Sequence, residues 1–193
     1  MESNKKNASH KMIKPAKGKT LISTPFLEDV FKKSVIYLTE HNENGTIGFI
    51  LNKKLDVTLS EVLDDFPEFD AKLYLGGPVQ QEVLNVIHRK GEIIEDSFEI
   101  QNGIYWGGNY EQIKSLINTG VINNDDMIFF LGYSGWSKGQ LEGEIKSKSW
   151  IVSDIDEEIL FEDRDKSLWS DLLKKMGGEY KIMATYPDDP IVN

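Results

Sequence analysis

The stretch SVIYLTEH (34–41), Asn42-Glu43-Asn44-Gly45, TIGFILN (46–52) constrains the fold of this chain more than any other. Both flanking runs are β-branched and aromatic, and a short Asn/Gly-rich break divides them. Asn-Gly supplies the positive φ of a tight turn, so the spacing predicts a β-hairpin. A doubly wound nucleotide fold would need strict β-α-β order and a glycine fingerprint after its first strand, and neither is present.

The rest of the body alternates strand-like and helix-like runs. Thr58-Leu59-Ser60-Glu61 reads as a capping box, followed by Leu59, Val62, Leu63 and Phe66 at helical spacing, with Pro67 as the stop. KLYLGG (72–77), EVLNVIHR (82–89) and GIYWGG (103–108) read as strands bounded by turn residues. Asn109 is placed to cap a second helix carrying Tyr110, Ile113, Leu116 and Ile117, with Gly120 beyond its end. MIFFLGYS (127–134) is a continuous apolar run, the pattern of a strand buried on both faces. A short helix near 139–147, a strand SWIVS (149–153) and a helix carrying Leu168, Trp169, Leu172, Leu173 and Met176 complete the series, and TYPDDPIVN (185–193) reads as irregular. Hairpins with interspersed helices predict an α+β fold: a single compact domain with a mixed, mostly antiparallel sheet and several short helices. A chain of 193 residues, 39% hydrophobic, can bury such a core without metals or disulfides. The expected boundaries are a flexible basic tail over 1–19 and one domain over 20–193.

Charge and composition narrow the function. Six lysines against Glu2 make residues 1–20 net +5, which leaves net −15 on the remainder of a chain of net −10. A body that acidic repels nucleic acid and anionic membrane, so only the tail can attract a polyanion. Zinc-finger and RNP patterns are missing, and the 109–118 helix carries Lys114 as its one base. With no cysteine, disulfides and zinc–thiolate sites are excluded. No apolar run approaches a membrane span, and the start of the chain shows no apolar signal core, so a cytoplasmic protein is expected.

Residues 131–145, LGYSGWSKGQLEGEI, hold the densest group of candidate site residues. A serine nucleophile elbow needs glycine two residues after the serine, and Ser134 is followed there by Trp136. A P-loop needs Ser or Thr after its Gly-Lys, which Lys138-Gly139-Gln140 lacks. Two readings remain open. In one, an apolar strand ends at Gly132, a helix starts near Gly139, and the turn between them presents backbone N–H groups to an anion. Trp136 then walls the place, and Gln140 and Glu144 share one helix face. In the other, the stretch is a tight structural turn, with Trp136 as a core plug and Leu141 and Ile145 packed inward. Gly76-Gly77-Pro78 has the same two readings, a rigid turn or one wall of a pocket. His41, beside Glu40, and His88 each end a strand and are the candidate bases. No metal signature such as H-E-x-x-H occurs, and no cofactor is implied.

Taken in order, Glu40-His41-Asn42, Gly48, Leu51-Asn52, Gly76-Gly77-Pro78-Val79, His88, Gly132-Tyr133, Gly135-Trp136, Gly139-Gln140-Leu141-Glu142, Glu144-Ile145 and Trp150 resemble the YqgE/AlgH family of bacterial proteins. The likeness runs from about Lys19 to Trp169. Lys53-Lys54 stand where that family often shows Arg-Pro, and Ser137-Lys138 where Gly-Pro is common. The resemblance implies a compact α+β domain of the bacterial cytoplasm that carries the label of transcriptional regulator. Three functions are set against each other. The first is a regulator or adaptor that binds a small molecule or protein partner through His41, Asn42, Asn52, Gly76, Gly77, Gly132, Tyr133, Ser134, Gly135, Trp136, Gln140 and Glu144. The second is a hydrolase or transferase on a small anionic substrate with His41 or His88 as base. The third is a direct DNA-binding regulator.

Overall fold

The computed structural model describes residues 13–163 and 167–187. Nine strands make one sheet: β1 (Thr20–Ser23), β2 (Val35–Asn42), β3 (Gly45–Ile50), β4 (Lys72–Leu75), β5 (Val79–His88), β6 (Ser97–Gln101), β7 (Ile104–Gly107), β8 (Met127–Ser137) and β9 (Trp150–Ser153). Their order is β6-β7-β5-β8-β3-β2-β1-β9, with β4 laid against β8. The β4–β8 pairing is parallel and the others are antiparallel. Six α-helices lie among the described residues: α1 (Leu59–Val62), α2 (Tyr110–Asn118), α3 (Gln140–Lys146), α4 (Glu157–Phe161), α5 (Ser167–Met176) and α6 (Gly178–Met183). The fold is the expected α+β domain with a mixed, mostly antiparallel sheet.

Strand alternation sends neighbouring residues to opposite faces. Ile22, Val35, Tyr37, Phe49, Tyr74, Ile87, Ile128 and Phe130 point to one face, where they pack on Leu160 and Phe161 of α4 and on Leu168, Trp169, Leu172 and Leu173 of α5. Their neighbours point the other way into two groups. Leu73, Val86, Met127 and Phe129 meet Leu59 of α1 and Ile113 and Ile117 of α2. Leu21, Ile36, Leu38 and Ile50 meet Trp136, Leu141 of α3, and Trp150. The buried Trp169 indole satisfies its N–H on the Ser23 carbonyl at 2.8 Å, so α5 is tied to β1 as well as packed on it.

The hairpin forms where expected. Asn42 and Gly45 are the last ladder pair, so Glu43 and Asn44 are the central residues. The positive φ falls on Gly45, at +149°, and not on either central residue. The Asn42 side chain closes the turn as well, accepting the Asn44 N–H at 2.8 Å. Helix α1 has its capping box, yet it stops at Val62 rather than running to Phe66. Asp64 and Asp65 would sit at the negative end of a longer helix, which opposes extension. β1, β6, α4 and α6 are short elements that the sequence pattern does not single out.

The largest departure concerns the glycine-rich stretch. Gly132 to Trp136 is strand, not turn: β8 continues to Ser137 because Ser134 to Ser137 pair with Gly48 to Gly45 of β3. Gly132, at φ +67°, resets the alternation. Before it the odd residues Met127, Phe129 and Leu131 face α1 and α2, and after it the odd Tyr133 packs on the α4–α5 side. One residue of slip thereby turns Trp136 toward α3.

Of the lysine-rich segment, residues 1–12 lie outside the described residues. The remainder sits along the sheet: the Gly18 N–H donates to the Leu38 carbonyl at 2.8 Å, and Lys17 Nζ donates to the Glu99 carbonyl at 2.9 Å. Residues 188–193 of the C-terminal stretch also lie outside the described residues.

Candidate functional site

The structure sorts the sequence-derived candidates into three places. The first is built by β8 and α3. Helix α3 starts at Gly139, a left-handed N-cap, and carries Gln140 and Glu144 on the face turned to β8. The Glu144 carboxylate accepts from both buried indoles: Trp136 Nε1 at 2.9 Å and Trp150 Nε1 at 2.7 Å, both on Oε2. Its Oε1 accepts from Gln140 Nε2 at 2.9 Å, and Gln140 Oε1 in turn accepts from the Ser137 N–H and hydroxyl. The two indoles meet edge to face, 5.9 Å between centroids. His41 borders this network. Its Nδ1 lies 2.7 Å from Thr46 Oγ1, on the residue that pairs with Trp136, and its Nε2 lies 3.6 Å from Glu142 Oε1 of α3. The His41 and Trp136 regions are therefore adjacent. Asn42 turns back on Glu40 and on its own turn, next to His41.

The second place is a crossing of backbones. Gly76, Gly77, Gly132 and Ser134 pack against one another where β4, β5 and β8 converge, and the Ser134 hydroxyl, fully buried, donates to the Gly76 carbonyl at 3.1 Å. A Cβ on Gly77 would stand 2.3 Å from the Tyr133 carbonyl. Tyr133 packs at the edge of the α4–α5 core, and Gly135 pairs with Ile47 in the ladder. Asn52 is separate and also internal: Oδ1 accepts the Val35 N–H at 3.0 Å and Nδ2 donates to the Lys33 carbonyl at 2.8 Å. Asn52→Ala is expected to cost about 2 kcal/mol by leaving both backbone groups unpaired, read from chemical denaturation.

The third place holds His88 alone, at the far end of the sheet. It is fully buried and stacked on Tyr105 with 15° between the rings. Nδ1 accepts the Lys90 N–H at 3.1 Å, so the proton resides on Nε2, which faces the Gly107 carbonyl at 2.9 Å and Ser97 Oγ at 3.2 Å. Burial pushes its pKa below the ordinary histidine value, against the opposing pull of the Gly107 carbonyl. The unfolded chain takes up this proton near its ordinary pKa of about 6.5, and the folded chain only at lower pH. Stability should therefore fall as pH drops below about 6.5, by at most about 1.4 kcal/mol per pH unit from this residue, and level off below the folded-state value. Urea titrations between neutral and mildly acid pH would show this, with a flatter curve for His88→Gln.

None of these residues lines the two cavities found beside Lys54. Those lie on either side of Lys54, whose Nζ binds both oxygens of Asp163 at 2.9 and 2.7 Å. Asp163 also accepts from the Tyr74 hydroxyl at 3.2 Å, and the bond from Lys54 holds its carboxyl below the usual range. One cavity, of about 540 Å³, lies between this pair and α5, over Ile159, Leu168 and Leu172. The other, of about 440 Å³, is floored by Leu55, Phe69 and Leu73 and edged by Asp56, Asp70 and Asp125. Sequence reasoning missed this cleft because Lys54 and Asp163 stand 109 positions apart and Asp163 belongs to no motif. Among the described residues, no three His, Asp or Glu side chains converge to hold a metal ion, and no helix is long and apolar enough to cross a membrane.

Comparison with known proteins gives one consistent answer. The model of the AlgH-like family (DUF179) matches residues 20–181. A UPF0301 protein of Cytophaga hutchinsonii is 45% identical over 179 residues, 92% of this chain and 98% of the relative. One from Chlorobaculum tepidum is 43% identical over 183 residues, 94% and 97% of the two chains. The solution structure of the AlgH protein from Pseudomonas aeruginosa superimposes with a TM-score of 0.71 at 28% identity, covering 90% of this chain and 95% of that one. A crystal structure of a Corynebacterium diphtheriae protein shares the fold at a TM-score of 0.73 and 24% identity, over 91% and 95%. With the family model spanning most of its length and relatives this similar over nearly their whole chains, the protein belongs to the AlgH-like, or UPF0301, family.

Proposed function

We propose that this protein acts in the cytoplasm by binding rather than by catalysis, as a regulator or adaptor whose small ligand or protein partner engages the cleft around Lys54 and Asp163. The observation that carries the reading is how the polar candidates are used. Trp136 and Gln140 both bond to Glu144, Asn52 and Ser134 hold backbone, and both nitrogens of His88 are committed inside the fold. Such groups support a scaffold and leave the chemistry of recognition to a different surface. The cleft offers cavities within the usual range of ligand sites, apolar floors and a solvent-exposed ion pair at the centre. Its half on the α1 side carries Asp56, Asp70, Asp125 and Asp163 against Lys54 and Lys72, so it suits neutral or cationic groups better than the anionic substrate of the enzymatic alternative. Direct DNA reading is disfavoured by the same charge argument.

The test is a thermal-shift screen of the full chain against nucleotides, phosphorylated metabolites, organic acids, amines and divalent metals. A ligand at about 100 times its Kd adds about 2.7 kcal/mol of stability, a shift of several degrees. The expected result is a hit that Lys54→Glu removes and Gln140→Ala leaves in place. The reverse pattern would return the site to α3, and turnover of any hit that depends on His41 would make the protein an enzyme.

A further inference from the structure

We propose that residues 89–96 form a strap that neutral His88 locks closed and that protonation of this imidazole releases, uncovering the apolar surface beside the first turn of α2. The strap leaves the end of β5 and returns as β6. Beyond the ion pairs of Arg89 with Glu157 and of Lys90 with Asp126 at its start, it is held at three points. The first is the imidazole itself: Lys90 N–H donates to Nδ1, and Ser97 Oγ, which donates to the Ile94 carbonyl at 2.8 Å, lies against Nε2. The second is Ile94, buried among Val86, Ile113 and Phe129. The third is the N-terminus of α2, where the Asn109 N–H donates to the Glu95 carbonyl at 2.8 Å and the Glu95 N–H donates to Gln112 Oε1 at 2.8 Å. One ring thus fastens both ends of the strap.

A second proton has no accommodating place. At Nδ1 it would point at the Lys90 N–H, donor against donor, and the imidazolium would lie fully buried. Among the titratable groups of the surrounding elements, Tyr105 of β7 stacks on the ring and Asp126, before β8, is held by Lys90 Nζ at 3.1 Å. Arg89 is held by Glu157 of α4 at 2.9 Å, while Glu92, Glu95 and Asp96 lie on the strap and Glu99 on β6. None of these carboxylates hydrogen-bonds to or pairs with the imidazole among the described residues. The cation would gain a counter-charge or water by displacing the strap, and the ring is closely packed on the Gly108 side, where an added Cβ would stand 2.6 Å from Ile94 Cγ2 and 3.2 Å from Ser97 Oγ. The lowered proton affinity of the closed state and the release of the strap are two sides of one linkage.

Hydrogen exchange of the full chain, read by mass spectrometry at pH about 7 and about 5 and corrected for intrinsic exchange, tests this directly. Protection over 89–96 is expected to fall at least about tenfold at the lower pH while β2 and β3 keep theirs. His88→Gln, which can still donate and accept, should remove the acid response. Unchanged protection of the strap at low pH, or the same acid response in His88→Gln, overturns the proposal. Should that variant fail to fold, imidazole NMR of the wild-type chain decides the matter. A His88 titration that coincides with loss of strap protection supports the latch, and one that passes with the strap still protected overturns it.

Discussion

Gly77→Ala should fail to give a stable fold, or lose more than about 4 kcal/mol, enough to remove most of the margin of an ordinary domain. The added Cβ would lie 2.3 Å from both the carbonyl carbon and oxygen of Tyr133 and 2.4 Å from Ser134 Oγ, at φ +157°. The obstacle is backbone, so no rotamer change relieves it. Moving β8 aside would break its pairing with β4 on one flank and β5 on the other. Gly132→Ala meets the Val79 and Gly77 carbonyl oxygens at 2.7 and 2.8 Å and should cost somewhat less. Gly143 is the control. It lies in the exposed face of α3 with nothing within 4 Å of a new Cβ, so Gly143→Ala should stabilise by about 1 kcal/mol through helix propensity. Thermal melts of the three variants order them. A Gly77→Ala protein melting close to wild type would mean that the crossing has room, and with it space for a ligand.

These glycines also show where sequence reasoning reaches its limit. Turn and cap chemistry is local, and it was legible: Thr58 and Glu61 reciprocate as a capping box, Asn109 caps α2, and the hairpin forms between two β-branched runs. The glycines of 132–139 read as breakers because nothing in one sequence shows the strand they pair with. Gly132 is a break only in register, imposed by the approach of β4 and β5 from elsewhere in the chain. β6 was hidden because its five residues, SFEIQ, offer Phe98 and Ile100 alone as apolar positions, too short a run to stand out. Of the candidate site, the likeness of residues four apart placed Gln140 and Glu144 on one face correctly. The second indole, Trp150, comes from β9 and has no such spacing to announce it.

That second indole makes Glu144→Ala the most informative side-chain substitution. Trp136 and Trp150 are 6% and 4% exposed, and each has one N–H whose partner is the same carboxylate oxygen. Hydrogen bonds to a charged acceptor contribute about 1.5–3 kcal/mol each, and the outer Gln140 amide can turn to water. Loss of the carboxylate should therefore cost about 3–4 kcal/mol, which lowers the melting temperature by about 10 °C in a chain of this size. Glu144→Gln keeps one acceptor for the indoles but points an NH2 at Gln140 Nε2, so a smaller loss of about 1 kcal/mol is expected. Trp136→Phe should lose less in a Glu144→Ala background than in wild type, since the partner is already gone. A near-neutral Glu144→Ala would require both indole N–H groups to reach water. In that case the face of β8 beside α3 is an open wall, and Trp136 becomes a surface for a ligand instead of the plug that ties the helix to the sheet.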